Sequence, residues 1–385
     1  TVPTSPSTAR TCPRSATGDG VPDVLLVVNP GSSSLKLRVL DPGDAVVSER
    51  DVTDWHGEPA ALDDFLRAAG GGTDAVAVRV VHGGGYGGAV RVDDDVERQL
   101  EQLVPLAPLH QPRALDLVRH LRKLLPKAPI FACFDTSFHS TLPPESSTYA
   151  LPAQWRDRWG LRRYGFHGLS HAYAARRTAV LLDRDDLRVV TCHLGAGASV
   201  CAVERGRSVD TSMGFTPVEG LVMATRSGSV DPGLLMWLLT EGGLGADELS
   251  DALEHRSGLL GLSETSGDLR EVLAARDGGD ARAGLAFAVY AHRLTGEIAR
   301  MAAALGGADA IVFTGGAGEH SPQVRRAACE RLGWLGVRLD DERNTVPSRP
   351  DAVISRVSSP VEVCVVAARE DLEMARQTRA LLSPR

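Results

Sequence analysis

The chain has 385 residues, of which 43% are hydrophobic and 24% charged, enough apolar material for two or three domains of roughly 150 residues and too much for a disordered polymer. Its longest apolar runs, VLLVV at 24–28 and VVTC at 189–192, fall far short of the ~18 residues of a membrane span, and six cysteines without a CxxC pair indicate neither a disulfide scaffold nor a zinc ribbon. A net charge of −7 without a basic block argues against a nucleic-acid face and leaves room for a local phosphate pocket. Lys36, Lys123 and Lys127 are the only lysines against many arginines. Genome base composition accounts for that bias, so arginine positions carry information that arginine counts do not.

Residues 1–22 are polar, rich in Pro, Ser and Thr, and lack the apolar centre of a signal peptide, so they read as a flexible tail of a cytoplasmic protein. VLLVVN, GSSS and LKLRVL at 24–40 predict a strand, a tight turn with three hydroxyls, and a second strand. A helix is expected near 59–69, a strand at 75–81, then the glycines of HGGGYGG. Helices follow at 94–104 and 112–125, the latter with Pro112 in its first turn, and IFACFDTSFH at 130–139 is a strand ending in Asp135. The opening pattern recurs at 188–210, where RVVTCHLGAGASVCAVERGRSVD is again strand, glycine turn and strand. IVFTGGAGEH at 311–320 is a further strand running into glycines, with a helix from Pro322, and a last helix covers about 370–383 and returns to the first half. These features predict an α/β protein of two similar halves facing each other across a cleft lined by the glycine turns.

Glycine and serine turns after strands let backbone N–H groups converge on an anion. Three such turns suggest a polyphosphate ligand, and the absence of GxxxxGK[ST] and GxGxxG patterns removes the P-loop and Rossmann alternatives. Arg79, Asp135, His167, Arg226 and Glu370 form the accompanying charged set. Phosphoryl transfer needs fixed positive charge around the equatorial oxygens, magnesium and in-line placement, and the rigid guanidinium fork suits that charge role. Read singly, each arginine also suits a surface ion pair and Asp135 a helix cap. His167 and His171 are spaced four apart, but Gly165 and Gly168 and the lack of a third ligand speak against zinc.

NPGSSSLKL at 29–37, RVVHGG at 79–84, FDTSFHSTLP at 134–143, RRYGFHGLSH at 162–171, DTSMGFTPVEGLVMATRSGSVDPG at 210–233 and FTGGAGEHSPQVR at 313–325 together resemble acetate kinase and its short-chain acyl kinase relatives. The resemblance extends over most of 24–380 and implies two duplicated ribonuclease-H-like domains of the actin-like ATPase superfamily, facing each other across a nucleotide cleft. It implies a first domain of residues 23–138 completed by 365–385, and a second of residues 139–364 carrying the nucleotide site and the interface of a homodimer. The implied reaction is reversible in-line transfer of the ATP γ-phosphoryl to acetate, or weakly to propionate, with Mg²⁺ as cofactor and ATP/ADP as co-substrate. Carried over by position, Arg79, Asp135, His167 and Arg226 are the catalytic set, and Asn29 and Glu370 lie at the metal. Val81, Leu109, Phe166 and Pro217 form the acyl pocket with Arg79. Ser32, Ser34, Lys36, His110, His193, Gly195, Gly197, Asp268, Leu269, Arg270, Gly315, Gly316, Gly318 and His320 surround the nucleotide and its phosphates.

The chain also departs from the family pattern. Ala196 stands where the second phosphate turn usually carries asparagine, His320 ends the nucleotide loop instead of asparagine, Arg369 replaces the first residue of the acidic tail motif, and Pro30 replaces alanine. Loss of one amide donor to the transferring phosphoryl costs on the order of 3 kcal/mol. Val81, Leu109, Phe166 and Pro217 are the bulky choices that fit a methyl group, and a methylene is worth about 1–3 kcal/mol of discrimination.

Overall fold

A computed structural model describes residues 24–31, 34–70, 72–108, 110–346 and 350–383. The expected tail at 1–22, Ser32 of the first turn and Leu109 of the acyl pocket lie outside the described residues.

Two six-stranded sheets carry the chain. The first contains β1 (Leu25–Pro30), β2 (Ser34–Leu40), β3 (Val46–Thr53), β4 (Ala75–Val80), β5 (Val90–Arg91) and β6 (Ile130–Phe134), in the order β3-β2-β1-β4-β6-β5. The second contains β7 (Arg188–Leu194), β8 (Ala198–Glu204), β9 (Arg207–Thr211), β10 (Ala310–Thr314), β11 (Ala352–Val353) and β12 (Glu362–Val365), in the order β11-β12-β10-β7-β8-β9. Read from the other edge, the second order repeats the first. Each sheet starts as an antiparallel meander, continues through parallel pairs, β1 to β4 to β6 and β7 to β10 to β12, and ends on a two-residue antiparallel edge strand. The duplication expected from the repeated hairpin is therefore present in strand order and direction.

The parallel strands are covered on both faces, which is why they read as continuous apolar runs. Along β1 and β4, Leu26, Val28, Val76 and Val78 face the helix Gln111–Leu124, while Leu25, Val27, Ala75 and Ala77 meet Met374 and Ala375 of the C-terminal helix Glu370–Leu382. That alternation is the two-residue period of a strand. The helix Gly168–Leu182 belongs to both halves: Leu169 joins the first-sheet core, whereas Ala174 and Ala175 pack with Val189, Val203 and Val312 of the second. The 24-residue helix Ala281–Ala304 covers the other face of the second sheet.

The glycines after β10 differ from their expected form. The segment Gly315–His320 is helical, not an open turn. Gly315 has φ +76°, and a Cβ there would stand 2.8 Å from the Leu194 carbonyl oxygen. Only glycine lets the chain turn this tightly beside β7 before the helix Pro322–Cys329 begins.

Candidate active site

The carboxyl ends of β1, β4, β6, β7 and β10 open into one cleft of about 470 Å³, the place where open α/β sheets present ligand-binding groups. Asn29, Gly31, Ser34, Lys36, Arg79, Val81, His110 and Asp135 line it from the first half, and Phe166, His167, His193, Gly195, Ala196, Gly197, Pro217, Arg226, Gly315, Gly316 and His320 from the second. Glu370 closes it from the start of the C-terminal helix.

One wall is a hydrogen-bonded chain. Arg79 grips Asp135 with both branches, Nε to Oδ1 at 2.9 Å and Nη2 to Oδ2 at 2.5 Å, and donates through Nη1 to Asn29 Oδ1 at 3.3 Å and to the Pro30 carbonyl at 3.2 Å. Asn29 in turn donates to Glu370 Oε2 at 3.0 Å. Burial alone would lower the pKa of Arg79, but the charge and bonds of Asp135, with Glu370 adding, raise it, so the guanidinium stays cationic. The Asp135 side chain, 2% exposed, is thus a counter-ion and not a helix cap. Its backbone carbonyl instead accepts from the Gly168 N–H at 2.8 Å, and a Cβ on Gly168 would lie 2.2 Å from that oxygen.

Arg226 is placed differently. Its Nη1 lies 3.4 Å from the Pro217 carbonyl and 3.9 Å from Met223 Sδ, and no carboxylate lies within ion-pair distance of it among the described residues. Burial pushes its pKa down, with the more distant charge of Glu254 opposing. A buried cation without a counter-ion is costly unless an anion completes it.

The histidines supply neutral donors. His167 sits in the left-handed region at φ +57° as the residue before the helix Gly168–Leu182, with its Nδ1 2.9 Å from Ser199 Oγ. It stacks on His193 at 4.3 Å between ring centroids, and His193 Nδ1 lies 2.7 Å from Ser170 Oγ. A Cβ added to Gly197 would stand 3.3 Å from His167 Nε2 and 3.4 Å from Arg226 Nη1, so both nitrogens face the glycine turn between β7 and β8. Burial holds the pKa of His167 well below the usual imidazole range, with His193 and Arg79 reinforcing it, and burial lowers His193 too. Burial, then Arg226 and Arg79, lowers His110 to about 4. All three are neutral at pH 7.

Several sequence-derived residues lie elsewhere. Asp268 caps the helix Leu269–Asp277, accepting from the Arg270 N–H at 2.8 Å and pairing with its guanidinium, while Leu269 packs against the second core. Gly318 is buried in its helical turn, its carbonyl accepting from Arg325 at 2.8 Å. Sequence reasoning missed Glu319, which lines the cleft and whose Oε1 accepts from the Ala368 N–H at 3.0 Å, tying the Gly315–His320 segment to the approach of the C-terminal helix. Ser170 and Ser199 were missed as well, since a buried serine on a strand or helix carries no signal until its neighbour is known.

The oxygen donors at the Arg79 wall are Glu370, Asn29 and Asp135, with Glu319 also lining the cleft, and there is no cluster of three His, Cys, Asp or Glu side chains suited to a metal among the described residues. This sparse oxygen set fits magnesium, which keeps water and borrows most of its ligands from substrate phosphates.

The Acetokinase family profile matches residues 66–376. The chain belongs to this family. It is 44% identical over 387 aligned positions to the acetate kinase of Leifsonia xyli subsp. xyli, covering 92% of this chain and 97% of that one, and 47% identical to the acetate kinase of a Synechococcus species, covering 85% and 80%. Among solved structures, Porphyromonas gingivalis acetate kinase superposes with a TM-score of 0.87 at 36% identity, over 94% of this chain and all of that one. A propionate kinase from Francisella tularensis gives 0.85 at 32% identity, over 92% and 98%. The acetokinase fold thus spans the chain from the first sheet to the last helix.

The buried neutral histidines make stability depend on pH. Burial pushes His82 and His139 to about 4, as it does His110. Their folded pKa values lie below the unfolded value near 6.5, so the unfolded chain takes up protons first and stability is lost as pH falls from about 6.5 towards 4. By pH 5 each contributes a loss on the order of 2 kcal/mol. Urea midpoints at pH 7 and pH 5 test this; equal midpoints overturn the buried neutral state.

Proposed function

We propose that this enzyme catalyses reversible transfer of the ATP γ-phosphoryl to acetate, giving acetyl phosphate and ADP. The observation that carries this reading is the half-buried Arg226, with no carboxylate within ion-pair distance among the described residues, sharing the β7–β8 glycine turn with His167 Nε2. An acetate oxygen attacks the γ-phosphorus, its new P–O bond forms as the bond to the ADP oxygen breaks, and charge spreads over three equatorial oxygens. Arg226 and neutral His167 donate to those oxygens, and Arg79, aligned by Asp135, holds the acceptor carboxylate. Because these donors are fixed before the reaction, little reorganisation accompanies the developing charge. Val81, Phe166 and Pro217 enclose the methyl group. Ser34, Lys36, His110, His193, Gly195, Gly197 and His320 take the phosphates, and Gly315 and Gly316 take the nucleoside side. Glu370, Asn29 and Asp135 would hold magnesium with the phosphates, where the ion neutralises β- and γ-oxygen charge.

The same reading extends to organisation. Residues 23–138 with 365–385 form one domain and 139–364 the other, working in the cytoplasm; no helix among the described residues is long and apolar enough to cross a membrane. The helix Pro232–Thr240, PGLLMWLLT, buries no residue, and Leu234, Met236 and Trp237 are 48%, 58% and 56% exposed. Such a helix calls for a cover, and a second copy supplies it in a homodimer. Trp237→Glu should give a folded monomer by light scattering where the wild type is a dimer; identical masses place the interface elsewhere.

In an acetate assay, Arg79→Ala and Arg226→Ala should each lower kcat 100-fold or more. Near-wild-type kcat in either folded variant removes that arginine from the reaction.

Propionate is the second substrate to consider, because a propionate kinase superposes so well. Val81, 6% exposed at the cleft, sets the limit. Val81→Ala opens space for the extra methylene, worth about 0.8 kcal/mol on burial, and the propionate-to-acetate ratio of kcat/KM should rise several-fold. An unchanged ratio means that Val81 does not touch the acyl group.

Ala196 lines the cleft and is exposed there, its carbonyl engaged by the Ala224 N–H at 3.0 Å. Ala196→Asn adds an amide donor beside the transferring phosphoryl, so kcat should rise about tenfold with the acetate KM within about twofold. A folded variant with unchanged kcat means another group already fills that role.

A further inference from the structure

Behind His167 runs a line of buried polar side chains that the reaction above does not use. His171 is one helical turn beyond His167, on the same face of the helix Gly168–Leu182. Its Nε2 lies 2.7 Å from Ser199 Oγ and its Nδ1 lies 2.8 Å from Thr191 Oγ1. Ser199 Oγ is also the partner of His167 Nδ1, at 2.9 Å. Thr191 stands on β7 opposite Cys201 and Ser199 on β8 opposite His193, two register positions apart and therefore on one face of the sheet, which holds both hydroxyls against that helix face. Thr191, Ser199 and His171 are 0% exposed. Among the described residues these atoms meet one another, His167 Nδ1 and, from Thr191 Oγ1, the Cys201 carbonyl at 3.4 Å.

Each hydroxyl has one proton, and a neutral imidazole has one N–H. The line is therefore satisfied in two polarities. In one, Thr191 donates to His171 Nδ1, His171 Nε2–H donates to Ser199, and Ser199 donates to His167 Nδ1, leaving the His167 proton on Nε2 where it faces the glycine turn. In the other every bond is reversed, Thr191 turns to the more distant Cys201 carbonyl, and His167 presents a lone pair to the cleft. The 2.8 Å contact is made in both polarities, with Thr191 donating in the first and accepting in the second; the second adds only the long 3.4 Å bond to the Cys201 carbonyl, and the first alone gives a phosphoryl oxygen a donor.

We propose that Ser199, His171 and Thr191 are positioning residues that fix His167 as the Nε2–H tautomer, so that a neutral imidazole donates to the transferring phosphoryl. This rests on the role of His167 in phosphoryl transfer. Protons shift between tautomers only by reversing the whole line, so no net proton is gained or lost and the line works as an orienting device. It also holds the ring plane, since Nδ1 is anchored on the short, buried hydroxyl side chain of Ser199 on β8.

The test combines kinetics with histidine ¹⁵N–¹H correlation spectra of the full-length enzyme, which distinguish Nε2–H from Nδ1–H. In the wild type, His167 should show the Nε2–H pattern. Ser199→Ala cuts the line and should lower kcat about tenfold, with KM for acetate and ATP within about twofold and a mixture of tautomers at His167. Ser199→Thr keeps the hydroxyl and should restore most of kcat. Thr191→Val acts at the far end and should lower kcat about threefold, and Thr191→Ser should recover it. If His167→Ala lowers kcat 100-fold or more while Ser199→Ala leaves both kcat and the His167 spectrum unchanged, the line has no positioning role although His167 keeps its own. Should His167→Ala itself leave kcat unchanged, the role of His167 falls and this proposal with it. Unfolding of Ser199→Ala would leave the wild-type spectrum as the deciding measurement, and an Nδ1–H pattern at His167 there overturns the proposal.

Discussion

The two-pronged contact between Arg79 and Asp135 is the interaction on which the first half of the site depends. Asp135 is buried and the Arg79 side chain largely so, and the buried carboxylate would be costly without its partner. Because the guanidinium also reaches Asn29 and the Pro30 carbonyl, the ends of β1, β4 and β6 are joined through one side chain. Asn29 passes the connection to Glu370, so the start of the C-terminal helix is placed by the same chain of bonds. A polar network of this kind is stable only when fully satisfied, and it then holds its members rigidly.

Across the cleft the electrostatics are the opposite. Arg226 meets no carboxylate at ion-pair distance among the described residues, and His167, His193 and His110 are kept neutral chiefly by burial. One wall is thus internally neutralised and the other waits for an anion. An anion entering the cleft meets the unspent charge of Arg226 together with fixed neutral donors, which is an arrangement suited to charge that spreads during phosphoryl transfer. The covering elements matter equally: the Gly168–Leu182 helix touches both cores, so the position of His167 at its start is set by both halves at once.

Much of this was legible beforehand for physical reasons. The buried parallel strands announced themselves as unbroken apolar runs, and the strand, glycine turn, strand pattern at 24–40 and 188–204 revealed the duplication because antiparallel neighbours are local in sequence. Arg79, Asp135, His167 and Arg226 were visible as charged or titratable residues beside glycines at strand ends, and all four line the cleft. Asp268, Leu269 and Arg270, in contrast, lie outside that cleft, with Asp268 occupied by a helix cap. The Gly315–His320 segment became helical because Gly315 adopts a positive φ against β7, a contact of long sequence separation.

The sequence by itself determined the fold class, the repeat and the identity of the charged groups, since periodicity, turn chemistry and residue type are local properties. Only the tertiary structure decided how each charge is spent. Nothing in the neighbouring residues says that Arg79 meets Asp135, 56 positions away, while Arg226 meets no carboxylate at ion-pair distance among the described residues. The line from Thr191 through His171 and Ser199 to His167 likewise exists only because a helix and two strands pack face to face. Hydrogen bonds reach about 3 Å, and which groups come within that reach is settled by packing, not by order along the chain.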